Sequence, residues 1–287
     1  MTSSVESALR WARQRFEDHS ETARLDAELL LAHCLDKPRS YLYGHPEAPL
    51  DDGCRQRFAA LVERRLEPTP IAYLLGSREF YSLDFHTRPQ ALVPRPETEL
   101  LVEMALQLMP AQQPLRVCDL GTGTGIIAIT LKKMRPRARI VATDVDPGCL
   151  ALARENAQHH GTEIEWFESD WYQGLPGEIE FDLVVSNPPY IAADHPFLEH
   201  GDLPAEPRLA LTPGATGLES LRQIIAGACG HLVAGGHLLL EHGYDQQRAV
   251  AELLEANGFA DIHCATDLNG LPRASRAKRV ENGDTEA

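Results

Sequence analysis

The run Asn187-Pro188-Pro189-Tyr190, called the Asn-Pro-Pro-Tyr loop, combines residue types that could hold a planar nitrogen group. Its two prolines fix φ twice and remove two N–H donors, which leaves a stiff loop rich in carbonyl acceptors. The Asn187 side-chain oxygen and the Pro188 carbonyl could each accept one N–H of an NH2 group, while Tyr190 stacks on that group. The nitrogen would then face an electrophile about 3 Å away, with no metal or covalent nucleophile. The loop predicts group transfer to an amide or amine nitrogen.

A second candidate site is the run Gly121-Thr122-Gly123-Thr124-Gly125, called the glycine loop. It lies between a strand-like and a helical segment, so backbone N–H groups and the positive end of a helix would face a ligand. The glycines alternate, and Ile126 stands where a dinucleotide fingerprint has its third glycine. The pattern looks like the methyltransferase form, in which backbone approaches the amino-acid part of S-adenosylmethionine.

Two residues associated with the next strands, one acidic and one aromatic, could complete this site. Asp144 lies 23 residues after Gly121, where a carboxylate could accept both ribose hydroxyls of an adenosine. Asp146 precedes Pro147 and is interpreted as a helix N-cap without a ligand role. Trp171 could flank the adenine ring, or it could pack at the rim of the sheet.

Each run also has an alternative without a ligand. The glycine loop could be a tight turn, and the Asn-Pro-Pro-Tyr loop could be a plain turn after a strand. The occurrence of the glycine loop, Asp144 and the Asn-Pro-Pro-Tyr loop in this order favours a binding site. Glu206, just before Pro207, could line the substrate pocket, but it is interpreted as a surface carboxylate.

Elements that could position these residues alternate along the chain. From residue 115 onward, short apolar segments alternate with helical ones, which predicts a mostly parallel sheet with helices on both faces. Both loops would lie at the carboxyl ends of its strands, where ligands bind. The predicted strands cover 116–120, 139–143, 164–167, 181–186 and 237–240; helices should follow the first two strands and cover regions around 218–232 and 246–257.

The first 75 or so residues have the apolar spacing of a small helical bundle. Ser3 and Glu6 predict a capping box at its start. Aromatic and β-branched residues between 78 and 93 predict a two-stranded hairpin that joins two domains. Pro96 is placed in the first turn of the helix that follows.

Composition limits the class of protein. The 287 residues, 43% of them apolar, suffice for a small and a medium domain. We find neither a run of about 18 apolar residues nor a secretory signal, which predicts a cytoplasmic protein without a membrane partner. The six cysteines lack zinc-site spacing, so no metal is expected. The net charge of −15 disfavours direct nucleic-acid binding, which relies on clustered Lys and Arg.

The chain resembles the family of peptide-chain release factor glutamine N5-methyltransferases from its N-terminal helices to about Val280. Besides the two loops, the resemblance rests on Pro70-Ile71-Ala72-Tyr73-Leu74-Leu75-Gly76, Arg78-Glu79-Phe80-Tyr81, Val93-Pro94-Arg95-Pro96-Glu97-Thr98-Glu99 and Leu240-Glu241-His242-Gly243. DNA adenine-N6 methyltransferases share the Asn-Pro-Pro-Tyr run. The linker and 93–99 segments are more specific and favour this family over its sibling that acts on a ribosomal protein. One departure is Thr216, where many relatives have an acidic residue.

The resemblance implies an α/β fold: a helical substrate-recognition domain (1–76), a β-hairpin linker (77–94) and a seven-stranded Rossmann-like class I methyltransferase domain (95–280). The polar composition of residues 281–287 predicts a disordered tail. It implies methyl transfer from S-adenosylmethionine to the side-chain amide N5 of the glutamine in the Gly-Gly-Gln loop of class I release factors, in translation termination. Cofactor contacts would come from the glycine loop, Asp144, Trp171 and Asn187. The glutamine would be held by Asn187, Pro188, Pro189 and Tyr190, with catalysis assigned to Asn187, Pro188 and Tyr190.

Two rival functions use the same residues. An adenine methyltransferase would offer the same planar NH2 group, but the −15 charge and the lack of an evident basic target-recognition region disfavour it. A cofactor-sensing or scaffolding protein would keep the fold without turnover, and the intact Asn-Pro-Pro-Tyr loop disfavours that. A monomer is expected, with release factors as partners.

Overall fold

The structure, a computed structural model, describes residues 4–177 and 179–280. The tail 281–287, predicted to be disordered, lies outside these residues. Two compact units are present: a helical unit that ends at Ser77 and also contains Glu199–Glu206, and an α/β unit that spans Arg78–Leu198 and resumes at Pro207. The segment 199–206 thus clusters with the helical unit, although the expected domain boundaries placed it in the methyltransferase domain (95–280).

The helical unit has a cluster of buried apolar side chains, to which each of its α-helices contributes. Phe16, Leu30, Phe58 and Val62 are fully or almost fully buried in its core. Ser4 and Ser7 form the capping box of the first helix, whereas the predicted cap Ser3 lies outside the described residues. Its helices are α1 (Val5–Phe16), α2 (Ala23–Leu35), α3 (Arg39–Gly44), α4 (Asp52–Leu66) and α5 (Ile71–Leu75).

The predicted hairpin is present as β1 (Ser77–Phe80) and β2 (Leu83–His86). Tyr81 and Ser82 connect the strands with φ values of 52° and 59°, the positive pair that a two-residue type I′ turn requires. Phe80 and Phe85 are buried and pack edge to face. These two rings fix the hairpin on the core of the α/β unit.

The α/β unit contains a seven-stranded sheet with the strand order β5-β4-β3-β6-β7-β9-β8. Neighbouring strands from β5 to β7 are parallel, and β9 is antiparallel to both β7 and β8. The strands are β3 (Arg116–Leu120), β4 (Arg139–Asp144), β5 (Glu165–Glu168), β6 (Phe181–Ser186), β7 (Leu232–Glu241), β8 (Phe259–Thr266) and β9 (Pro272–Arg279). The helices are α6 (Thr98–Leu108), α7 (Ile126–Met134), α8 (Pro147–His160), α9 (Arg208–Leu211), α10 (Glu219–Ala228) and α11 (Gln247–Ala256). The predicted α/β class is confirmed.

Three predictions about individual elements need correction. Strand β7 begins at Leu232 instead of residue 237, because the strand continues through Gly235 and Gly236, which look like a break. Strands β8 and β9 have no counterpart among the strands predicted from apolar patterns; β9 reads Pro-Arg-Ala-Ser-Arg-Ala-Lys-Arg and buries mainly small side chains. Pro96 precedes α6, whose first residue is Thr98.

Candidate active site

The two predicted loops meet where the strand order reverses. Strands β3 and β6 are neighbours in register, with Leu120 opposite Ser186, and the two loops follow these residues directly. The Ser186 hydroxyl donates a 2.7 Å hydrogen bond to the Leu120 carbonyl. Since β4 lies on one side of this pair and β7 on the other, a crevice forms at the carboxyl ends.

A cavity of about 400 Å³ occupies this crevice, within the usual range for small-molecule sites. Gly125, Pro188 and Tyr190 do not line it. The predicted site residues that do line it are Gly121, Thr122, Gly123, Thr124, Asp144, Trp171, Asn187 and Pro189. Among the described residues, no group of three or more His, Cys, Asp or Glu side chains could hold a metal ion.

Backbone conformation explains the alternating glycines. Gly121, Gly123 and Gly125 have φ values of 67°, 56° and 85°, which side chains other than hydrogen rarely allow. A Cβ on Gly125 would lie 2.9 Å from Ile129 Cδ1 and 3.2 Å from Ala153 Cβ. The first two glycines therefore bring backbone to the cavity, while Gly125 permits close packing of helices.

Asp119 supports the glycine loop from below and was missed by sequence reasoning. Its Oδ2 accepts hydrogen bonds from the Thr122 hydroxyl (2.6 Å) and from the Ala128 N–H (3.1 Å). The residue is fully buried, and its Oδ1 has no hydrogen-bond partner among the described residues. Burial raises the pKa of Asp119 to about 7. The carboxyl group therefore shapes the loop without reaching the cavity.

Asp144 closes the other side of the glycine loop. Its Oδ2 accepts the Gly123 N–H at 2.8 Å and its Oδ1 accepts the Asp146 N–H at 3.0 Å. Each oxygen keeps a lone pair for a ligand, because a carboxylate offers about four acceptor sites. Burial raises the pKa of Asp144, and the two backbone donors oppose this rise. Asp146 accepts from Gly148 and Cys149, so its predicted N-cap role is confirmed.

Trp171 lies beside the glycine loop. A Cβ on Gly121 would be 3.3 Å from the Trp171 ring, so the absence of a side chain at Gly121 leaves room for the indole. The indole Nε1–H donates to Gln223 Oε1 at 2.7 Å, and the backbone carbonyl accepts from Ser169 Oγ. The ring is held at the wall of the cavity.

Asn187 is held by a side chain that is distant in sequence. Its Nδ2 donates to Thr98 Oγ1 at 3.0 Å, and the Thr98 hydroxyl donates to Glu241 Oε2 at 2.8 Å. Thr98 is 0% exposed and Glu241 is 1% exposed. Burial raises the pKa of Glu241 to about 7, while its hydrogen bond from Thr98 and the charge of Arg273 oppose this rise.

Tyr190 points into the same network instead of lining the cavity. Its hydroxyl donates to Glu241 Oε1 at 3.2 Å and accepts from Arg273 Nη1 at 3.4 Å. Gln246 Nε2 donates to the Tyr190 carbonyl at 2.9 Å. A Cβ on Gly217 would lie 2.5 Å from that carbonyl, so the loop that departs from the family pattern at Thr216 packs directly on Tyr190.

Thr98 and Glu241 are supporting residues that sequence reasoning did not identify. Both occur in segments that carry the resemblance, at 93–99 and 240–243, yet no chemistry could be read for them from local pattern. Glu206, expected at the surface, is only 5% exposed, so that expectation is wrong.

The residues around the cavity fit S-adenosylmethionine. The side-chain-free backbone of Gly121 and Gly123 can approach an amino-acid group, and Asp144 retains acceptor sites for ribose hydroxyls. Trp171 offers an aromatic face for adenine. Asn187 lines the same cavity and could face the methyl group.

Comparisons with known proteins agree on one family. The family profile "PrmC N-terminal domain" matches residues 7–76, and the profile "Methyltransferase small domain" matches residues 97–199. The release factor glutamine methyltransferase of Burkholderia pseudomallei is 47% identical over 257 residues, which are 88% of this chain and 90% of that protein. The protein of the same name from Coxiella burnetii is 42% identical over 96% of this chain and 99% of its own length.

One solved structure is similar to this chain in fold only. The methyltransferase from Pyrococcus furiosus superposes with a TM-score of 0.54 at 18% identity, covering 70% of this chain and 91% of that one. At this identity the likeness concerns the arrangement of helices and strands.

Proposed function

Because this chain belongs to the family of release factor glutamine methyltransferases, we propose that it methylates the side-chain amide N5 of the glutamine in the Gly-Gly-Gln loop of class I release factors. It is a methyltransferase, and S-adenosylmethionine is its methyl donor. Besides family membership, the observation that carries the proposal is that Asn187 and four residues of the glycine loop, Gly121 to Thr124, line one cavity.

Asn187 orients the glutamine. An amide nitrogen is a weak nucleophile because its lone pair is delocalised into the carbonyl, so catalysis depends on position. The Asn187 oxygen accepts one N–H of the glutamine NH2 group. That the Pro188 carbonyl accepts the other stays a prediction, because Pro188 does not line the cavity. The nitrogen gains the methyl group and releases one of its two protons to solvent. Tyr190 does not line the cavity, and its hydroxyl supports the loop by a hydrogen bond to Glu241. Stacking of the Tyr190 ring on the glutamine stays a prediction.

The glycine loop, Asp144 and Trp171 hold the cofactor. Backbone at Gly121 and Gly123 approaches its amino-acid part, and Asp144 accepts its ribose hydroxyls. S-adenosylmethionine supplies a methyl group on a sulfonium, which leaves as a neutral thioether and needs no metal. The chain therefore has to bind, align and exclude water.

The surroundings in which this reaction occurs are also part of the proposal. We expect a cytoplasmic monomer that binds release factors without direct contact to nucleic acid. The net charge of −15 supports the last point. None of the helices in the described residues is long and apolar enough to cross a membrane.

Mass spectrometry tests the proposal. A recombinant class I release factor is incubated with the protein and S-adenosylmethionine, and its peptides are mapped. We expect a gain of one methyl group on the glutamine of the Gly-Gly-Gln loop. A release factor with that glutamine replaced by glutamate is the matched control and should gain nothing.

Two results would contradict the proposal. A methyl group that maps elsewhere would show a different target residue. No gain, with S-adenosylmethionine still bound, would favour the adenine methyltransferase alternative, which a screen of adenine-containing oligonucleotides then tests directly.

A further inference from the structure

We propose that Thr98 and Glu241 are positioning residues that fix which end of the Asn187 side-chain amide faces the cavity. The inference rests on the proposed function, because it assigns the oxygen of Asn187 to the substrate. It goes beyond that function in giving a role to two residues that the proposed function does not use: Thr98, which lies at the cavity wall, and Glu241, which lies behind it. The argument depends on the direction of each hydrogen bond in the network.

The direction is set at the Arg273 end of the network. A guanidinium only donates hydrogen bonds, so Arg273 Nη1 must donate to the Tyr190 oxygen at 3.4 Å. The single Tyr190 proton is then available for Glu241 Oε1, 3.2 Å away. Glu241 accepts at this oxygen, and its other oxygen meets Thr98.

The same logic carries the direction to Asn187. When Glu241 is ionised, the single Thr98 proton goes to Glu241 Oε2 at 2.8 Å. Thr98 Oγ1 can then only accept from the neighbouring amide, so the end of Asn187 that lies 3.0 Å away must be Nδ2. The remaining end of the amide, Oδ1, is left for the substrate.

If the Asn187 amide were flipped by 180°, its Nδ2–H2 group would face the cavity in place of Oδ1. Two N–H donors, one from Asn187 and one from the substrate NH2 group, would then face each other. That arrangement would repel the glutamine instead of orienting it. Water cannot easily compensate for a lost contact, because Thr98 and Glu241 are almost completely buried. Thr98 begins α6 and Glu241 ends β7, so both partners are fixed by regular structure.

Protonation of Glu241 would remove this control. A proton on Oε2 could be donated to Thr98, whose own hydroxyl would then be free to donate to an Asn187 oxygen. The charged and titratable groups around Glu241 are Arg273 on β9, Tyr190 after β6 and Glu97 before α6. The ionised carboxylate is therefore the state that turns the Asn187 oxygen toward the cavity.

The first test replaces Thr98 with residues of nearly equal size. Thr98→Val replaces the hydroxyl with a methyl group of similar size, and we expect kcat to fall at least about tenfold with cofactor affinity within about threefold. Thr98→Ser restores the hydroxyl and should return kcat to within about threefold of the wild type. In an Asn187→Ala background, Thr98→Val should cause no further loss, because both changes remove the same orientation.

A second measurement does not depend on activity. NMR spectroscopy can follow the side-chain NH2 protons of Asn187, whose signals are assigned by their loss in Asn187→Asp. These protons should exchange slowly with solvent in the wild type and in Thr98→Ser. They should exchange faster in Thr98→Val. Equal exchange in all three proteins, or additive losses in the double variant, would overturn the inference. If the wild type does not methylate a release factor, the proposed function fails, and the exchange data still decide the inference.

Discussion

The two halves of the site are held together over very different distances in sequence. In the glycine-loop half, Asp119 and Thr122 are 3 residues apart, and Gly123 and Asp144 are 21 apart. In the Asn-Pro-Pro-Tyr half, Asn187 contacts Thr98 across 89 residues, and Tyr190 contacts Glu241 across 51. The glycine loop is thus supported by residues close in sequence, although Trp171 beside it hydrogen-bonds Gln223 across 52 residues. The substrate half is assembled from three distant segments.

This difference assigns separate tasks to the two halves. A local loop with fixed backbone can bind a cofactor before any substrate arrives. A group that must orient a weak nucleophile needs rigid support from regular structure on several sides. Variants in the two halves should therefore change different kinetic quantities.

The largest effect is expected from Asn187→Ala. The variant loses the oxygen that orients the attacking nitrogen, so turnover should fall at least about a hundredfold. Cofactor affinity should stay within about tenfold, because the glycine loop and Asp144 are unchanged. Single-turnover methylation and calorimetric titration with S-adenosylmethionine measure the two quantities. Equal losses in binding and in rate would refute a special role in orientation.

Asp144→Ala should show the opposite division. The variant loses the acceptors for ribose hydroxyls and the partner of the Gly123 N–H. We expect cofactor affinity to fall by about tenfold or more, while turnover at saturating cofactor falls less. Titration with S-adenosylmethionine provides the affinity. If saturation with cofactor leaves a hundredfold defect in turnover, the two halves are not separate.

Gly217→Ala tests how tightly the Asn-Pro-Pro-Tyr loop is supported. The new Cβ would approach the Tyr190 carbonyl to 2.5 Å, and φ at this position is +75°. We expect turnover to fall by several-fold, or roughly 1–2 kcal/mol in the barrier, with little change in cofactor affinity. Gly177→Ala is the matched control, since nothing lies within 4 Å of its Cβ. Unchanged turnover in Gly217→Ala would show that the loop tolerates displacement.

Sequence patterns foretold the architecture better than the supports of the site. The strands β3 and β6 are apolar and have clear ends, so both loops could be placed at the same edge of the sheet. Strand β9 carries mostly basic and small residues and buries little apolar surface. Because the apolar pattern of a strand is missing, the sequence did not reveal it. Pairing partners such as Thr98 and Glu241 depend on tertiary structure that no local spacing encodes.

The predicted roles of individual residues divide in the same way. Asp144 could be chosen by its distance from Gly121, and Asp146 by the proline after it. Tyr190 has the residue type expected for stacking, yet its hydroxyl is directed to Glu241. The direction of a side chain follows from its buried partners, which lie on other elements.

The smallest expected effect concerns the stability of the cofactor half. Asp119 has a folded pKa of about 7, raised by burial from an ordinary value of 3.8. A carboxyl group whose pKa is raised on folding binds its proton more tightly in the folded state. Its contribution to the free energy of unfolding therefore declines as pH rises from about 4 to about 7. Asp119→Asn cannot ionise and escapes this decline. The melting temperature of the variant relative to the wild type should therefore increase by several degrees across this window and level off above about pH 7. Glu241 titrates in the same range but is common to both proteins, so it cancels in the difference; the nearby Asp144, whose charge also raises the pKa of Asp119, is present in both as well. Differential scanning calorimetry at several pH values gives this difference in melting temperature. A difference that does not change with pH would mean that the pKa of Asp119 is not raised by folding.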